Sequence, residues 1–246
     1  MNKGKLLTIF TLPIMWGIYF LFELISGNLT SKYDITLNLL LSLVFLGFGY
    51  ILYILSTKFS KGFSKKSLWI SFLLLMFFDQ GSKLIINNFY FHTRFDIIPN
   101  FLSFHPIINT KGSWLNVRFG ANIGFPLLIL LNIMAIFLFI EFYRYYISDK
   151  NKSFWIDLCF ITIVAGCLCS LIDKIFYGGS LDFIGISNLF IADLKDIYIN
   201  IAIFAFILAS YFSGFLTSED NTTFKDDINA VKIFLKFILK DLKLIK

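Results

Sequence analysis

The sequence predicts an all-α polytopic membrane protein with about six transmembrane helices. Hydrophobic residues make up 57% of the 246-residue chain and charged residues only 15%, whereas the surface of a soluble protein of this size needs more charge. The apolar residues also fall in long blocks of about 20 residues, the length that a helix needs to cross the hydrocarbon layer of a bilayer. Both observations place the chain in a membrane.

Six blocks are apolar and long enough to span a bilayer: about 6–26, 36–56, 67–87, 123–143, 154–174 and 195–215. The first block follows Lys3 and Lys5, as the apolar part of a secretory signal does. It is longer than such a segment, however, contains Glu23, and ends without a small-residue cleavage site. We therefore interpret it as a helix that is retained in the protein.

Basic residues are distributed unevenly among the connections. The second connection is rich in lysine, as are the fourth connection and the tail, whereas the first and the much longer third connection contain few basic residues. Cytoplasmic connections of membrane proteins are enriched in Lys and Arg. Both termini are therefore predicted to be cytoplasmic, and the first, third and fifth connections are predicted to face outward.

The third connection, about residues 88–122, is long and aromatic. Its runs Phe101–Phe104 and Trp114–Phe119 alternate apolar and polar side chains, a pattern that predicts short strands. Because this connection is predicted to face outward, we expect these strands at the outer surface of the membrane.

The tail, residues 216–246, has a different pattern from the predicted spans. Apolar residues such as Ile228, Val231 and Leu235 recur at helical spacing between lysines. This pattern is typical of a basic amphipathic helix that lies on a membrane surface, here the inner leaflet. The sequence shows no internal repeat and no separate soluble domain.

Charged residues recur where the predicted spans meet the outer side: Asp79, Lys83, Asp173, Lys174, Asp182 and Asp193. A charge inside a membrane costs roughly 2.5–3.5 kcal/mol, so acids in these places favour a functional interpretation. Two carboxylates within reach of one water can share a proton. One then acts as the base that activates the water and the other as the acid, which is the chemistry of aspartyl proteases. It requires no metal and no cofactor.

A structural explanation competes with the functional one. Asp and Lys are common at helix ends because water begins there, and lysines extend their side chains to reach it. On this argument we interpret Lys195 and Asp196 as interfacial residues without a role in a site. His92 and His105 lack the spacing of metal ligands and are interpreted as polar loop residues.

Several short motifs resemble those of the signal peptidase II (lipoprotein signal peptidase) family. Asp79–Lys83 (DQGSK) resembles the family's DQxxK, and Asn109–Trp114 (NTKGSW) resembles its Asn-x-Gly segment with one extra residue. Ser170–Lys174 (SLIDK) resembles NxxDR, and Gly178–Phe183 resembles G-x-V-x-DF. Ala192-Asp193 resembles the end of FNxAD. The motifs follow the order that the family has.

The resemblance implies a four-helix core over residues 67–215, two added N-terminal helices in residues 1–66, and a small β-cradle at the outer surface. It implies that Asp182 and Asp193 form the catalytic dyad. Other residues would bind substrate or shape the site: Asp79, Lys83, Asn109, Ser170, Asp173 and Lys174.

The resemblance also implies the substrate and the location. The enzyme would cut prolipoproteins before a Cys that carries diacylglycerol, at the outer face of a bacterial inner membrane. Its partners would be these substrates and membrane lipid, with no nucleic acid, and it would act as a monomer.

Three departures make this chain a divergent member. Ser170 and Lys174 stand where the family has Asn and Arg, and lysine lacks the planar fork that grips two acceptors. Phe190 replaces the Asn of FNxAD, and Asn188 is a candidate to substitute for it. A non-catalytic relative that binds lipidated or signal-like helices therefore remains an alternative. A transporter or channel component is a further alternative, which the apolar middles of the spans disfavour.

Overall fold

The computed structural model describes residues 3–112, 116, 120–149, 152–187, 189–216 and 223–245. The α-helices whose bounds lie within these residues are α1 Lys3–Ile25, α2 Lys32–Lys58, α3 Lys65–Ile85, α4 Phe125–Asp149, α5 Phe154–Ile172, α6 Leu194–Phe212 and α7 Phe224–Asp241. Helices α1 to α6 are long and apolar enough to cross a membrane. The predicted fold class and the six predicted spans are thereby confirmed.

Helix α5 lies at the centre of the bundle and contacts α3, α4 and α6. Its contact with α6 is close because Gly166 has no side chain: a Cβ there would lie 2.8 Å from Cγ1 of Ile199. At its N-terminus, the buried carboxylate of Asp157 accepts hydrogen bonds from the Tyr143 hydroxyl (2.7 Å) and the Phe63 backbone N–H (2.6 Å). These bonds tie the α2–α3 connection and α4 to α5.

The N-terminal helices α1 and α2 form an antiparallel pair that packs against α6. Leu12 of α1 and Leu52 of α2 enter the same buried cluster as Phe204 and Leu208 of α6. Between membrane helices, close van der Waals packing of such side chains is a main favourable term. The two added helices are therefore part of the same body as the rest of the bundle.

A four-stranded antiparallel sheet covers one end of the bundle in the order β1-β2-β3-β4. The strands are β1 Phe95–Ile98, β2 Leu102–Asn109, β3 Ser180–Ile186 and β4 Phe190–Ala192. The register of β2 against β3 shifts between Phe104 and Ile107, where Pro106 lacks the N–H that a regular ladder needs.

The sheet confirms part of the strand prediction. The run Phe101–Phe104 overlaps β2. The predicted strand at 114–119 is wrong at Asn116, which is helical, and its other residues lie outside the described part of the chain. Strands β3 and β4 lie in the fifth connection, where the sequence pattern predicted none individually.

Helices α3 and α5 both end beneath the sheet, and each continues as a π-helical turn: Ile86–Tyr90 and Asp173–Tyr177. Helix α6 begins there too, directly after β4. The sheet therefore covers the helix ends at which the sequence places its acidic residues. The amphipathic tail forms α7, which packs its Phe234 ring against Phe142 of α4. Its position on the inner leaflet stays a prediction.

Candidate active site

Four carboxylates and two lysines meet in one buried cluster beneath the sheet. Asp79 and Lys83 come from the last two turns of α3, one helical turn apart, so both point the same way. Asp173 follows α5, Asp182 lies on β3, and Asp193 precedes α6. The four carboxylates and Lys83 are at most 3% exposed. Buried charges persist only where they are paired and hydrogen-bonded.

Lys83 joins three of the carboxylates. Its ammonium lies 2.9 Å from Oδ2 of Asp79, 2.7 Å from Oδ2 of Asp173 and 2.6 Å from Oδ2 of Asp193. An ammonium group has three protons to donate, and here three carboxylates surround it. Lys83 thus fixes the end of α3 to the ends of α5 and β4.

Lys195 is the second cation of the cluster, and the interpretation of this residue as interfacial is wrong. The structure buries it to 6% exposure on the first turn of α6. Its ammonium contacts Asp193, donates to Ser180 Oγ at 2.5 Å, and lies 3.8 Å from Oδ1 of Asp182. Its backbone N–H donates to Asp79 Oδ1 at 2.9 Å. Here α6 begins inside the bundle, so this lysine meets acids rather than water.

The two carboxylates of the implied dyad lie together. One carboxylate oxygen each from Asp182, Asp193 and Asp196 fall within 4.8 Å of one another. The Asn109 amide donates to Asp182 Oδ2 at 2.9 Å, and the Ser180 hydroxyl donates to Asp193 Oδ2 at 3.0 Å. Strand pairing explains the first contact, because Asn109 on β2 stands opposite Ser180 on β3, two residues from Asp182.

Asp193 also starts helix α6. Its carboxylate accepts from the backbone N–H of Asp196 at 3.3 Å, and the Asp196 carboxylate accepts from the backbone N–H of Asp193 at 3.2 Å. This reciprocal arrangement satisfies N–H groups that a helix start leaves free. Asp196, interpreted from the sequence as interfacial, therefore orients Asp193.

Ser170 and Lys174 lie one helical turn apart and contact each other. The Lys174 ammonium donates to Ser170 Oγ at 2.5 Å and to Ser170 O at 3.3 Å. Among the described contacts, neither side chain bonds a carboxylate of the cluster. Gln80, in contrast, donates to Asp79 at 2.9 Å and Asp173 at 3.3 Å. Asn188, the candidate substitute at the Phe190 position, lies outside the described residues.

The surroundings shift the two dyad carboxyls in opposite directions. Burial and the neighbouring charge of Asp193 raise the pKa of Asp182, although Lys195, Ser180 and Asn109 act against this. Burial also favours the neutral carboxyl at Asp193, but the ammonium groups of Lys195 and Lys83 outweigh it and hold its pKa below the usual value. Two acids with opposite shifts are the arrangement that assigns one as base and the other as acid.

Oδ1 of Asp182 is the acceptor in this cluster that is left for a reacting group. It is buried, and among the described residues it has no hydrogen-bond partner. Asp182, Asp193 and Asp196 are close enough together to hold a cation, but the Lys195 ammonium already supplies a positive charge at two of these carboxylates. The geometry therefore suits proton transfer between carboxyls and a small polar molecule.

Comparison with known proteins assigns the family. The family model for signal peptidase (SPase) II matches residues 71–212, more than half of the chain. The chain belongs to the signal peptidase II family. All the carboxylates and both lysines of the cluster lie inside the matched segment, whereas α1, α2 and α7 lie outside it.

Solved structures agree with this family assignment in fold. Two bacterial membrane enzymes whose structures were determined by the in meso method are similar to the chain. One, at 2.3 Å resolution, is 20% identical with a TM-score of 0.54, and the match covers 67% of this chain and 99% of that one. The other, at 1.9 Å, is 20% identical with a TM-score of 0.52, covering 65% and 98%. No curated protein matches the chain.

Four residues of the cluster were not identified as site residues from the sequence: Gln80, Ser180, Lys195 and Asp196. One feature of the sequence could have pointed to Lys195. A lysine in the first turn of a helix opposes the positive end of the helix dipole, so its presence beside Asp193 calls for a carboxylate partner. Ser180 carries no comparable feature, because its role depends on strand pairing.

Proposed function

We propose that the protein is an aspartyl endopeptidase that removes signal peptides from diacylglyceryl-modified prolipoproteins, cutting before the lipidated Cys. The observation that carries this proposal is the buried pair Asp182 and Asp193, whose surroundings shift their pKa values in opposite directions. Membership of the signal peptidase II family supports it. Asp79, Lys83, Asn109 and the other cluster residues are proposed to hold the pair in place.

The proposed reaction uses both carboxyls. Asp193, kept ionised by Lys83 and Lys195, takes a proton from water as the oxygen attacks the peptide carbonyl. Asp182, whose pKa is raised, is protonated and donates its proton to the carbonyl oxygen. When the tetrahedral intermediate collapses, the C–N bond breaks and Asp193 gives its proton to the leaving amine. The hydroxyl proton of the intermediate returns to Asp182, so both carboxyls regain their starting states.

The proposed topology places this cluster at the outer face of a bacterial inner membrane, with both termini in the cytoplasm. The uneven distribution of lysines supports this orientation. The division into an N-terminal pair (1–66), a catalytic core (67–215) and a cytoplasmic tail (216–246) is proposed with it. At the outer edge of the bilayer, the diacylglyceryl chains and the apolar signal helix of a substrate both stay in lipid while the bond between them is cut.

Cleavage of a diacylglyceryl-modified prolipoprotein by the purified protein tests the proposal. We expect the parent to cleave, and Asp182→Asn and Asp193→Asn each to lose cleavage, because each removes one of the two proton carriers. Asp96→Asn is the matched control, since Asp96 lies on the same sheet with an exposed side chain. If the parent binds the substrate without cutting it, the alternative of a non-catalytic relative replaces the proposal.

A further inference from the structure

The N-terminal helices α1 and α2 contact the β3–β4 hairpin although both lie outside the segment that matches the family. The ring of Tyr19 on α1 meets the ring of Phe190 edge to face, with 5.7 Å between centroids and 73° between planes. On α2, the amide of the fully buried Asn38 donates to the Ser187 hydroxyl at 3.4 Å. Both helices of the pair therefore contact the turn of this hairpin.

These contacts hold the hairpin on both sides of its turn. Ser187 directly follows β3, and Phe190 is the first residue of β4. Ser187 has a φ of +48°, a backbone conformation that costs free energy for a residue other than glycine and persists only where surrounding contacts enforce it. Its N–H donates to the Phe101 carbonyl at 2.5 Å, which adds a third contact at the turn.

The same hairpin carries the dyad. Asp182 lies on β3, and Asp193 follows the last residue of β4. Strands β3 and β4 are hydrogen-bonded to each other from the turn to the pair Ile184 and Ala192, so the turn is connected to both carboxylates through one ladder. A catalytic step is sensitive to misplacement of its groups by about 1 Å. The position of the turn therefore bears on the distance between the two carboxyls.

The helix pair is itself firmly held. Its helices approach closely at Gly49, where a Cβ would lie 2.7 Å from the carbonyl oxygen of Ile9. The Trp16 indole donates to the backbone carbonyl of Asn38 at 3.0 Å. Asn38 is therefore fixed on one side to α1 and on the other to the hairpin, so the pair can restrain the turn.

We propose that the α1–α2 pair is a positioning element of the active site. The pair holds the β3–β4 hairpin through the ring contact of Tyr19 with Phe190 and the hydrogen bond from Asn38 to Ser187. This inference rests on the proposed function, since the distance it sets is that between Asp182 and Asp193. Tyr19 and Phe190 act through the hairpin and do not touch the reacting atoms.

Kinetics of the full-length protein test the proposal with Tyr19→Ala and Phe190→Ala. We expect each variant to lower kcat on a diacylglyceryl-modified prolipoprotein by about 2- to 10-fold, the factor that one aromatic pair is worth, with KM unchanged. Tyr19→Phe keeps the ring and should lower kcat less than Tyr19→Ala does. Phe10→Ala is the control, because Phe10 lies on the same helix and is 44% exposed. Parent values of kcat in both alanine variants, or a change confined to KM, would overturn the proposal.

Hydrogen exchange of the backbone separates this inference from the proposed function. If the parent cleaves no prolipoprotein, the proposed function fails and the exchange of residues 183–192 decides the role of the helix pair. Faster exchange there in Tyr19→Ala than in Phe10→Ala supports the restraint by α1. Equal exchange in the two variants refutes it.

Discussion

Replacement of Lys195 by Met tests whether this ammonium sets the protonation of the dyad. Its Nζ lies 3.8 Å from Oδ1 of Asp182, and at an effective dielectric constant near 20 such a pair interacts by about 4 kcal/mol. Loss of that interaction makes the ionised form of Asp182 less favourable, so its pKa rises. Asp193 also loses a contact but keeps Lys83 at 2.6 Å. Because each carboxylate loses a neighbouring positive charge, we expect both carboxyl pKa values to rise.

The pH dependence of kcat/KM measures this change. Activity requires an ionised Asp193, so the acidic limb of the profile moves to higher pH. It also requires a protonated Asp182, so the alkaline limb moves in the same direction. A carboxyl with a lowered pKa contributes stability at neutral pH that is lost as the pH falls through that pKa, so the variant should also lose part of the stability that Asp193 contributes.

Lys111→Met serves as the matched control, since it removes the same charge from an exposed loop position after β2. Its profile should coincide with that of the parent. An unchanged profile in the Lys195 variant, or limbs that move to lower pH, would refute the electrostatic argument even if the variant is less stable.

Two predictions concern stability, measured as thermal unfolding of the purified protein in detergent. Gly166→Ala places a Cβ 2.8 Å from a side-chain carbon of Ile199 and should destabilise the protein by about 1–3 kcal/mol. Gly17→Ala is the control: nothing lies within 4 Å of a Cβ there, so this variant should be neutral or slightly stabilised. Equal unfolding midpoints for the two variants would contradict the close α5–α6 contact. Asp157→Ala leaves the Tyr143 hydroxyl and the Phe63 backbone N–H without their acceptor. It should lower the free energy of unfolding by about 1–3 kcal/mol. An unchanged unfolding midpoint would show that other groups or water accept these two hydrogen bonds.

The membrane-spanning part of the fold could be predicted because its physical cause is local. A run of about 20 apolar residues is enough to define a span whatever the rest of the chain does. The pairing of Asp79 with Lys83 is also local, since the two lie one helical turn apart. Strands β3 and β4 could not be identified individually, because β4 has only three residues and the stability of both comes from pairing, β3 with β2 and β4 with β3.

The surroundings of Lys195 could not be predicted because they depend on tertiary packing. At the start of a span, a lysine suits both a water interface and a buried ion pair, and only the position of α6 within the bundle distinguishes them. The contact of Tyr19 with Phe190 has no local signature at all, since the two residues are far apart in the sequence.

The order of the elements along the chain has a consequence for biosynthesis. Asp79 and Lys83 enter the membrane with α3, but Asp193 and Lys195 belong to the start of α6, the last spanning helix. A nascent chain that has not yet inserted α6 holds Asp182 without its partner carboxyl and without the second ammonium. If the proposed function holds, the growing polypeptide therefore lacks a complete catalytic pair until α6 is in place.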